Sequence, residues 1–326
     1  MKKSLLEQNG DGKAMVCTAV ISDTHFGSGL STLSDAKKME QLIWEIWRYG
    51  GGCDELVLLG DVFDFWRARP ERAIRESRPF LRKLSELDLK MTYVVGNHDH
   101  HLVVMNRESN LLERVARGDL FSLYTPCLAW GLVIDGLAFE MHYPMCVTRI
   151  AGKNLLFAHG HHLGGDQAFS VQVVKGLRKL SGEQITPADL EMLMTYAYEG
   201  IYRSSSVGEM MELEERLWKA SDLFKKVKTG IFGSKYTPVE RQYDSILKFI
   251  RDHYPGKVDA FIYGDTHRAG LFRKDGGPLA VNTGSFTHEN GKASLLENSD
   301  TYLLCSDEGL FLRQLGRGQE LIGCHF

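Results

Sequence analysis

Leu56-Val57-Leu58-Leu59-Gly60-Asp61-Val62-Phe63-Asp64 is a short apolar run that stops at a glycine and then presents two carboxylates. A run of this length with a turn signal behind it reads as a buried strand. The pattern recurs on both sides of this stretch. Residues 14–22 are apolar and rich in β-branched side chains and lead to Asp23-Thr24-His25; residues 91–95 lead to Gly96-Asn97-His98-Asp99. Further on, residues 154–158 lead to His159-Gly160-His161, and residues 258–263 lead to Gly264-Asp265-Thr266-His267. Carboxylates, imidazoles and an amide oxygen therefore fall at successive strand ends, and these are the donors that a pair of neighbouring divalent metals takes.

Helical signals fill the gaps. Within 34–49, Met39, Leu42, Ile43, Ile46 and Trp47 share one face, with Ser34 as N-cap and Gly50-Gly51-Gly52 as the stop. A second helix is expected over 71–87, reset at Pro79, and a third over 107–117 with Gly118 past its end. Alternating strand, site and helix implies parallel strands whose carboxyl ends share one edge, where open α/β sheets bind ligands. Residues 132–134 and 137–142 flank Asp135-Gly136, a two-residue hairpin signal, and 302–305 and 310–313 flank a turn at 307–309.

Residues 165–256 break this rhythm and read as almost wholly helical. Thr186-Pro187-x-Asp189 and Thr237-Pro238-x-Glu240 each combine an N-cap, a first-turn proline and a capping acid, and a longer helix is expected near 207–228. The expected organisation is a core of 14–164 and 257–316 with a helical cap, 165–256, inserted between two of the ligand clusters. Residues 1–13 read as a loose tail.

Composition narrows the function. Of 326 residues, 43% are hydrophobic and 25% charged, which suits a soluble chain with a large core. A formal net charge of -3 argues against broad nucleic-acid binding. The six cysteines form no C-x-x-C pair and read as buried thiols of a cytoplasmic protein. Polar residues Gln8 to Asp11 interrupt any signal-peptide core, and no apolar run approaches a membrane span of roughly 18 residues.

The ordered series of motifs resembles the calcineurin-like metallophosphoesterase superfamily, whose signature is D-x-H, G-D-x-x-D, G-N-H-[DE], a histidine in a His-Gly context, and G-H-x-H. The spelling Gly60-Asp61-Val62-Phe63-Asp64-Phe65-Trp66-Arg67 is similar to the UDP-2,3-diacylglucosamine hydrolase branch, as are Val281-Asn282-Thr283-Gly284-Ser285 and the helical insertion. The resemblance implies a four-layer α-β-β-α sandwich of two mixed sheets. It also implies two divalent metal ions, manganese first and iron or zinc next. Asp23, His25 and His267 would bind one ion, Asp61 would bridge, and Asn97 and His159 would bind the other. A hydroxide held between the ions would attack phosphorus in a phosphodiester, pyrophosphate or phosphomonoester. His98 would protonate the leaving oxygen, Asp99 would hold its other ring nitrogen, and Asp64 would orient a ligand histidine such as His25.

Two positions depart from the pattern. Asp265 stands where the family has a histidine ligand. A carboxylate there would leave two dications facing Asp23, Asp61 and Asp265 with about +1 of formal charge, a harder site that favours manganese. In His159-Gly160-His161-His162 either His159 or His161 could be the ligand; His159 comes directly off the strand. Arg67 and Arg268 follow metal motifs and would either fork onto a phosphate or pair with a nearby acid. His161, His100 and His101 are candidate substrate contacts, and His142 and His288 read as structural. Met192, Met194, Met210 and Met211 would suit an acyl-chain groove in the cap. The expected substrate is a small or lipid-linked phosphate ester, with peripheral membrane contact consistent with the latter. The competing classes are a nuclease of the same superfamily and a non-catalytic scaffold with the same fold.

Overall fold

The computed structural model describes residues 17–49, 53–116, 127–163, 187–203, 238–288, 299–317 and 320–325. The expected tail, the 50–52 glycines, Gly118, the caps at Thr186 and Thr237, and the helix near 207–228 lie outside the described residues.

The chain begins with β1 (Thr18–Ile21), α1 (Ala36–Tyr49), β2 (Glu55–Leu59), α2 (Pro70–Ser85), β3 (Lys90–Val94) and α3 (His101–Ala116). Next come β4 (Leu128–Ile134), β5 (Leu137–Tyr143), β6 (Met145–Ile150) and β7 (Lys153–Ala158). Helices α4 (Pro187–Arg203) and α5 (Val239–His253) precede β8 (Ala260–Tyr263), β9 (Gly270–Phe272) and β10 (Leu279–Asn282). Strands β11 (Thr301–Ser306), β12 (Gly309–Gln314) and β13 (Glu320–His325) follow.

These strands form two mixed sheets. The first has eight strands in the order β13-β12-β11-β1-β2-β3-β5-β4, and the second has five in the order β6-β7-β8-β10-β9. Pairs β1·β2, β2·β3, β3·β5, β7·β8 and β8·β10 are parallel. Strand alternation sorts the side chains into layers. Val20, Val57, Leu59, Val94 and Leu303 of the first sheet pack against Leu155, Phe157, Ile262 and Val281 of the second. The opposite face of the first sheet, including Ile21, Leu56, Leu58 and Tyr93, packs on Leu42 and Ile46 of α1 and Phe80 and Leu84 of α2. The outer face of the second sheet, with Leu156, Phe261 and Tyr263, packs on Tyr243, Ile246 and Phe249 of α5. The result is the expected α-β-β-α sandwich.

Local differences from the expected boundaries have physical causes. Helix α1 starts after Asp35, whose Oδ1 accepts the Lys37 N–H at 2.8 Å, so Asp35 rather than Ser34 is the cap. Helix α2 runs through Pro79 without a reset. Pro79 and Arg75, whose carbonyl loses its helical donor, both lie on the exposed face, so the lost bond is not a buried one. Helix α3 begins six residues earlier than its apolar period indicates, because the loop carrying His98 feeds straight into it. The Asp135-Gly136 hairpin is as read: both residues have positive φ, 50° and 85°, as a type I′ turn requires.

Phe157 is fully buried between the two sheets. Phe157→Ala is expected to cost about 3–5 kcal/mol, read as a lowered midpoint in urea unfolding.

Candidate metal centre

The loops that carry the candidate ligands leave the strands in an uncommon backbone conformation. Asp23, His25, Asp61, Asp265 and His267 have φ of 52°, 47°, 52°, 65° and 55°. Left-handed backbone at non-glycine residues costs on the order of 1–3 kcal/mol each and persists only when neighbours fix it. Here they do. Asp23 N donates to Gly60 O at 3.1 Å, His25 N to Asp61 O at 2.9 Å, and Gly264 N to His159 O at 2.8 Å. The glycines before the ligands are a matter of room. A Cβ on Gly60 would overlap the His159 ring, one on Gly96 would overlap Asp61 Oδ1, and one on Gly264 would overlap Asp23 Oδ2.

The donor atoms converge on Asp61. Its Oδ2 lies 3.6 Å from His25 Nε2 and 3.2 Å from His159 Nε2, and its Oδ1 accepts the His98 backbone N–H at 2.9 Å. On one side, His25 Nε2 and His267 Nε2 face each other at 3.3 Å, with Asp23 Oδ1 3.2 Å from His267 Nε2. On the other side, Asp265 Oδ1 sits 3.8 Å from His159 Nε2. Asn97 Oδ1 and His159 Nε2 are buried and make no hydrogen bond, while His159 Nδ1 is bound to Leu59 O at 2.9 Å. A ring whose Nδ1–H is held by a carbonyl turns Nε2 inward, where a cation can take the place of its proton. The sets Asp23/His25/His267 and Asp23/Asp61/His159 each bring three such donor atoms within 4.8 Å of one another. The two sets have Asp23 in common, Asp61 lies against both His25 and His159, and the donor atoms present suit divalent cations.

Without a cation, the site's charges are shared between carboxylates and the imidazoles that face them. Burial would raise Asp61 and Asp23, but the facing histidines outweigh it and hold both below the usual aspartate range. Burial would lower His159, yet Asp61 and Asp23 raise it well above the usual histidine range. Burial dominates at His25, which falls to about 4 and is thus a neutral donor at pH 7. Burial also dominates at Asp265, pushed up to about 6.

Asp64 holds two rings at once. His25 Nδ1 lies 3.2 Å from its Oδ2, and His98 Nδ1 lies 2.9 Å from its Oδ1. Asp99 was expected to hold His98 and does not. Its carboxylate instead accepts Val62 N at 2.9 Å, Gly96 N at 2.6 Å and the Tyr93 hydroxyl at 2.5 Å. Asp99 thus braces the two ligand loops from behind, and burial together with the Asp61 charge pushes it up to about 6.

The remaining candidates divide. Asp265 points into the centre. Arg67 pairs with Asp64, its N and Nη1 donating at 3.0 and 3.1 Å, which is the nearby-acid alternative rather than a free phosphate fork. Arg268 is exposed beside the centre. His161 is buried, with its ring 5.6 Å from that of His159, among Tyr143, His162 and Tyr198. His100 packs between Tyr143 and Tyr198, and His101 Nδ1 pairs with Glu199 Oε1 at 2.8 Å. His142 pairs with Glu140 at the sheet surface, and the His288 backbone N–H donates to Leu30 O. Met210 and Met211 lie outside the described residues, as does the Met192 side chain.

Sequence reasoning missed Trp66, Tyr198, Glu199 and Tyr202 as neighbours of the centre. Trp66 stacks on His98 with ring centroids 4.0 Å apart, and Tyr202 stacks on His101 at 3.7 Å. Trp66 lies inside a ligand motif, which was a usable signal; the α4 residues carried none.

Comparison with known proteins places this centre in a family. The model of the calcineurin-like phosphoesterases matches residues 18–269, and the chain belongs to that family. Solved structures similar to it include Yfce, a phosphoesterase from E. coli, at 14% identity over 95% of this chain and 99% of that one, TM-score 0.42. Another is a dimetal phosphatase from Danio rerio, at 13% identity over 95% and 98% of the two chains, TM-score 0.45. No curated protein matches the sequence.

Asp64 offers a test away from the ligands. Asp64→Asn should weaken Mn²⁺ binding roughly 10- to 100-fold in calorimetric titration. Its carboxyl is held well below the ordinary 3.8 by His98, His25 and Arg67, which outweigh burial. Its contribution to the stability of the metal-free protein is therefore complete above the unfolded pKa and lost as pH falls through the lower folded one. Asp64→Asn should flatten that acid limb in unfolding curves.

Proposed function

We propose that this chain hydrolyses a phosphate ester or pyrophosphate at a dinuclear metal centre. Asp23, His25, Asp61 and His267 would hold one ion, and Asp61, Asn97, His159 and Asp265 the other. The observation that carries this reading is the convergence on Asp61 of imidazole Nε2 atoms, with Asn97 Oδ1 and His159 Nε2 buried and without a hydrogen-bond partner. Bound divalent ions supply a nucleophile at neutral pH and neutralise charge on the phosphoryl oxygens.

The chain's own residues do the rest. His98 is the proton donor to the leaving oxygen. Its Nδ1 is committed to Asp64, so Nε2, 3.9 Å from Asp61 Oδ2, is the atom that faces the centre. Asp64 orients His25 through the same carboxylate, Leu59 O fixes His159, and Thr287 Oγ1 lies 3.5 Å from His267 Nδ1. With Asp265 in place of an imidazole, the second set has more oxygen than nitrogen donors, which favours manganese over zinc.

The Gly60–Arg67 spelling, which resembles that of UDP-2,3-diacylglucosamine hydrolases, favours a diester or pyrophosphate, small or lipid-linked. The insertion expected over 165–256, between core segments 14–164 and 257–316, is proposed as a cap only as far as α5, because Val239–His253 packs on the second sheet as the outer layer of the sandwich. Among the described residues no helix is long and apolar enough to cross a membrane.

Activity should require metal: chelation should abolish hydrolysis and Mn²⁺ should restore it. A panel of aryl phosphomonoester, aryl phosphodiester and nucleotide pyrophosphate should show turnover of at least one, and turnover of none would refute the proposal. His98→Ala should lower kcat roughly 10²- to 10⁴-fold for poor leaving groups and much less for good ones. Equal losses across the series would remove His98 from the role of acid.

A further inference from the structure

The His98 ring is held on three sides. Asp64 Oδ1 fixes Nδ1 at 2.9 Å. The His25 ring meets it edge-on, with centroids 4.7 Å apart and planes at 86°. The Trp66 indole covers one face, at 4.0 Å and 27°. A hydrogen bond to one ring atom leaves the imidazole free to tilt about the bond axis. A flat aromatic surface stacked on the ring removes that tilt, and with it the freedom of Nε2 to swing away from the leaving oxygen.

Trp66 is itself only 5% exposed and is backed by Tyr198 of α4, with centroids 5.7 Å apart. Tyr198 is buried and also contacts His100 at 5.2 Å. One residue on, Glu199 takes His101 Nδ1 at 2.8 Å, and one helical turn from Tyr198, Tyr202 stacks on His101. Helix α4 is thus pinned at several points to the stretch that follows Asn97 and His98, and its inward tyrosine presses on the indole.

We propose that Trp66 is a positioning residue for His98 and that Tyr198 holds Trp66 in place, so that a helix from the 165–256 segment sets the geometry of proton donation. This rests on the reading of His98 as the acid. It adds a route by which a segment without metal ligands governs the chemical step. Trp66 touches no reacting atom in this arrangement; it acts through the orientation of His98. A merely space-filling tryptophan would behave differently. Its truncation would lower stability, and lower activity by the same factor for every substrate.

The test compares Trp66→Phe, Trp66→Leu, Tyr198→Leu and His98→Ala with the full-length Mn²⁺-loaded protein. The probes are aryl phosphodiesters and aryl phosphomonoesters graded in leaving-group pKa. Trp66→Leu should lower kcat roughly 10- to 100-fold for the poorest leaving group and by less than about threefold for nitrophenol. KM and calorimetric Mn²⁺ affinity should stay at wild-type values. Trp66→Phe, which keeps an aromatic face, should restore most of the loss, and Tyr198→Leu should shift the leaving-group dependence in the same direction by a smaller factor. Equal losses across the series, a parallel fall in Mn²⁺ affinity, or no loss would overturn the proposal. If His98→Ala steepens the leaving-group dependence and Trp66→Leu does not, the positioning role alone is wrong. If His98→Ala leaves that dependence unchanged, the acid assignment falls and the positioning role falls with it. Thermal unfolding of each variant separates these outcomes from loss of fold.

Discussion

The Asp61 carboxylate sits where two sets of imidazole nitrogens meet, and the arrangement of the centre follows from satisfying it. One oxygen is taken by the His98 backbone N–H, and the other looks at the Nε2 atoms of His25, His98 and His159. Burial alone would drive this acid toward neutrality. The surrounding histidines reverse that and keep it ionised. Which nitrogen each ring turns inward is decided from outside. Leu59 O takes Nδ1 of His159, and Asp64 takes Nδ1 of both His25 and His98. The outer acceptors thus select the tautomers that make the inner atoms useful, and the carbonyl and Asp64 are as much a part of the centre as the ligands.

The two sheets make complementary contributions. Strands of the first lead to Asp23, His25, Asp61 and Asn97, and strands of the second lead to His159, Asp265 and His267. Neither sheet carries a complete set. Their registration is enforced by the apolar layer between them and by direct ties at the site itself. Asp265 N donates to Asp23 Oδ2 at 3.1 Å, Phe286 N donates to Asp23 O at 3.1 Å, and the Ser22 and Thr283 hydroxyls share a hydrogen bond of 2.7 Å. Packing of Phe157 or Ile262 therefore bears on function, because it sets how the two halves of the donor set face each other.

How much of this was legible in the sequence depended on range. Strand ends were, because a parallel strand buried on both faces writes itself as an unbroken apolar run and the turn after it as Gly-Asp or Gly-Asn. The order of motifs then fixed which donors would meet. The partners of Asp64 and Asp99 were not legible, since both acids lie close to histidines in the chain and only the three-dimensional path separates their roles. Asp99 turns back onto Tyr93 and the Gly96 amide, whereas Asp64 turns toward the rings. Helix α4 escaped for a related reason: the apolar period of 187–203 says that a face is buried but not against what. The edge strands β6, β9 and β13 also went unread. They carry a weaker alternation, and β13 is exposed at four of its six positions.

Asp265 shows what the fold gives up for the site. Without a neighbouring cation its carboxyl is pushed up to about 6, chiefly by burial and then by Asp23 and Asp61. A raised aspartate disfavours the ionised folded state, so between its unfolded pKa and about 6 stability falls as pH rises. An imidazole there would not add to this repulsion between carboxylates. Cations that bind the folded chain and not the unfolded one stabilise it by mass action, and they do so most where buried carboxylates otherwise repel. The same substitution therefore ties the stability of this edge of the sandwich more closely to metal occupancy than a histidine would.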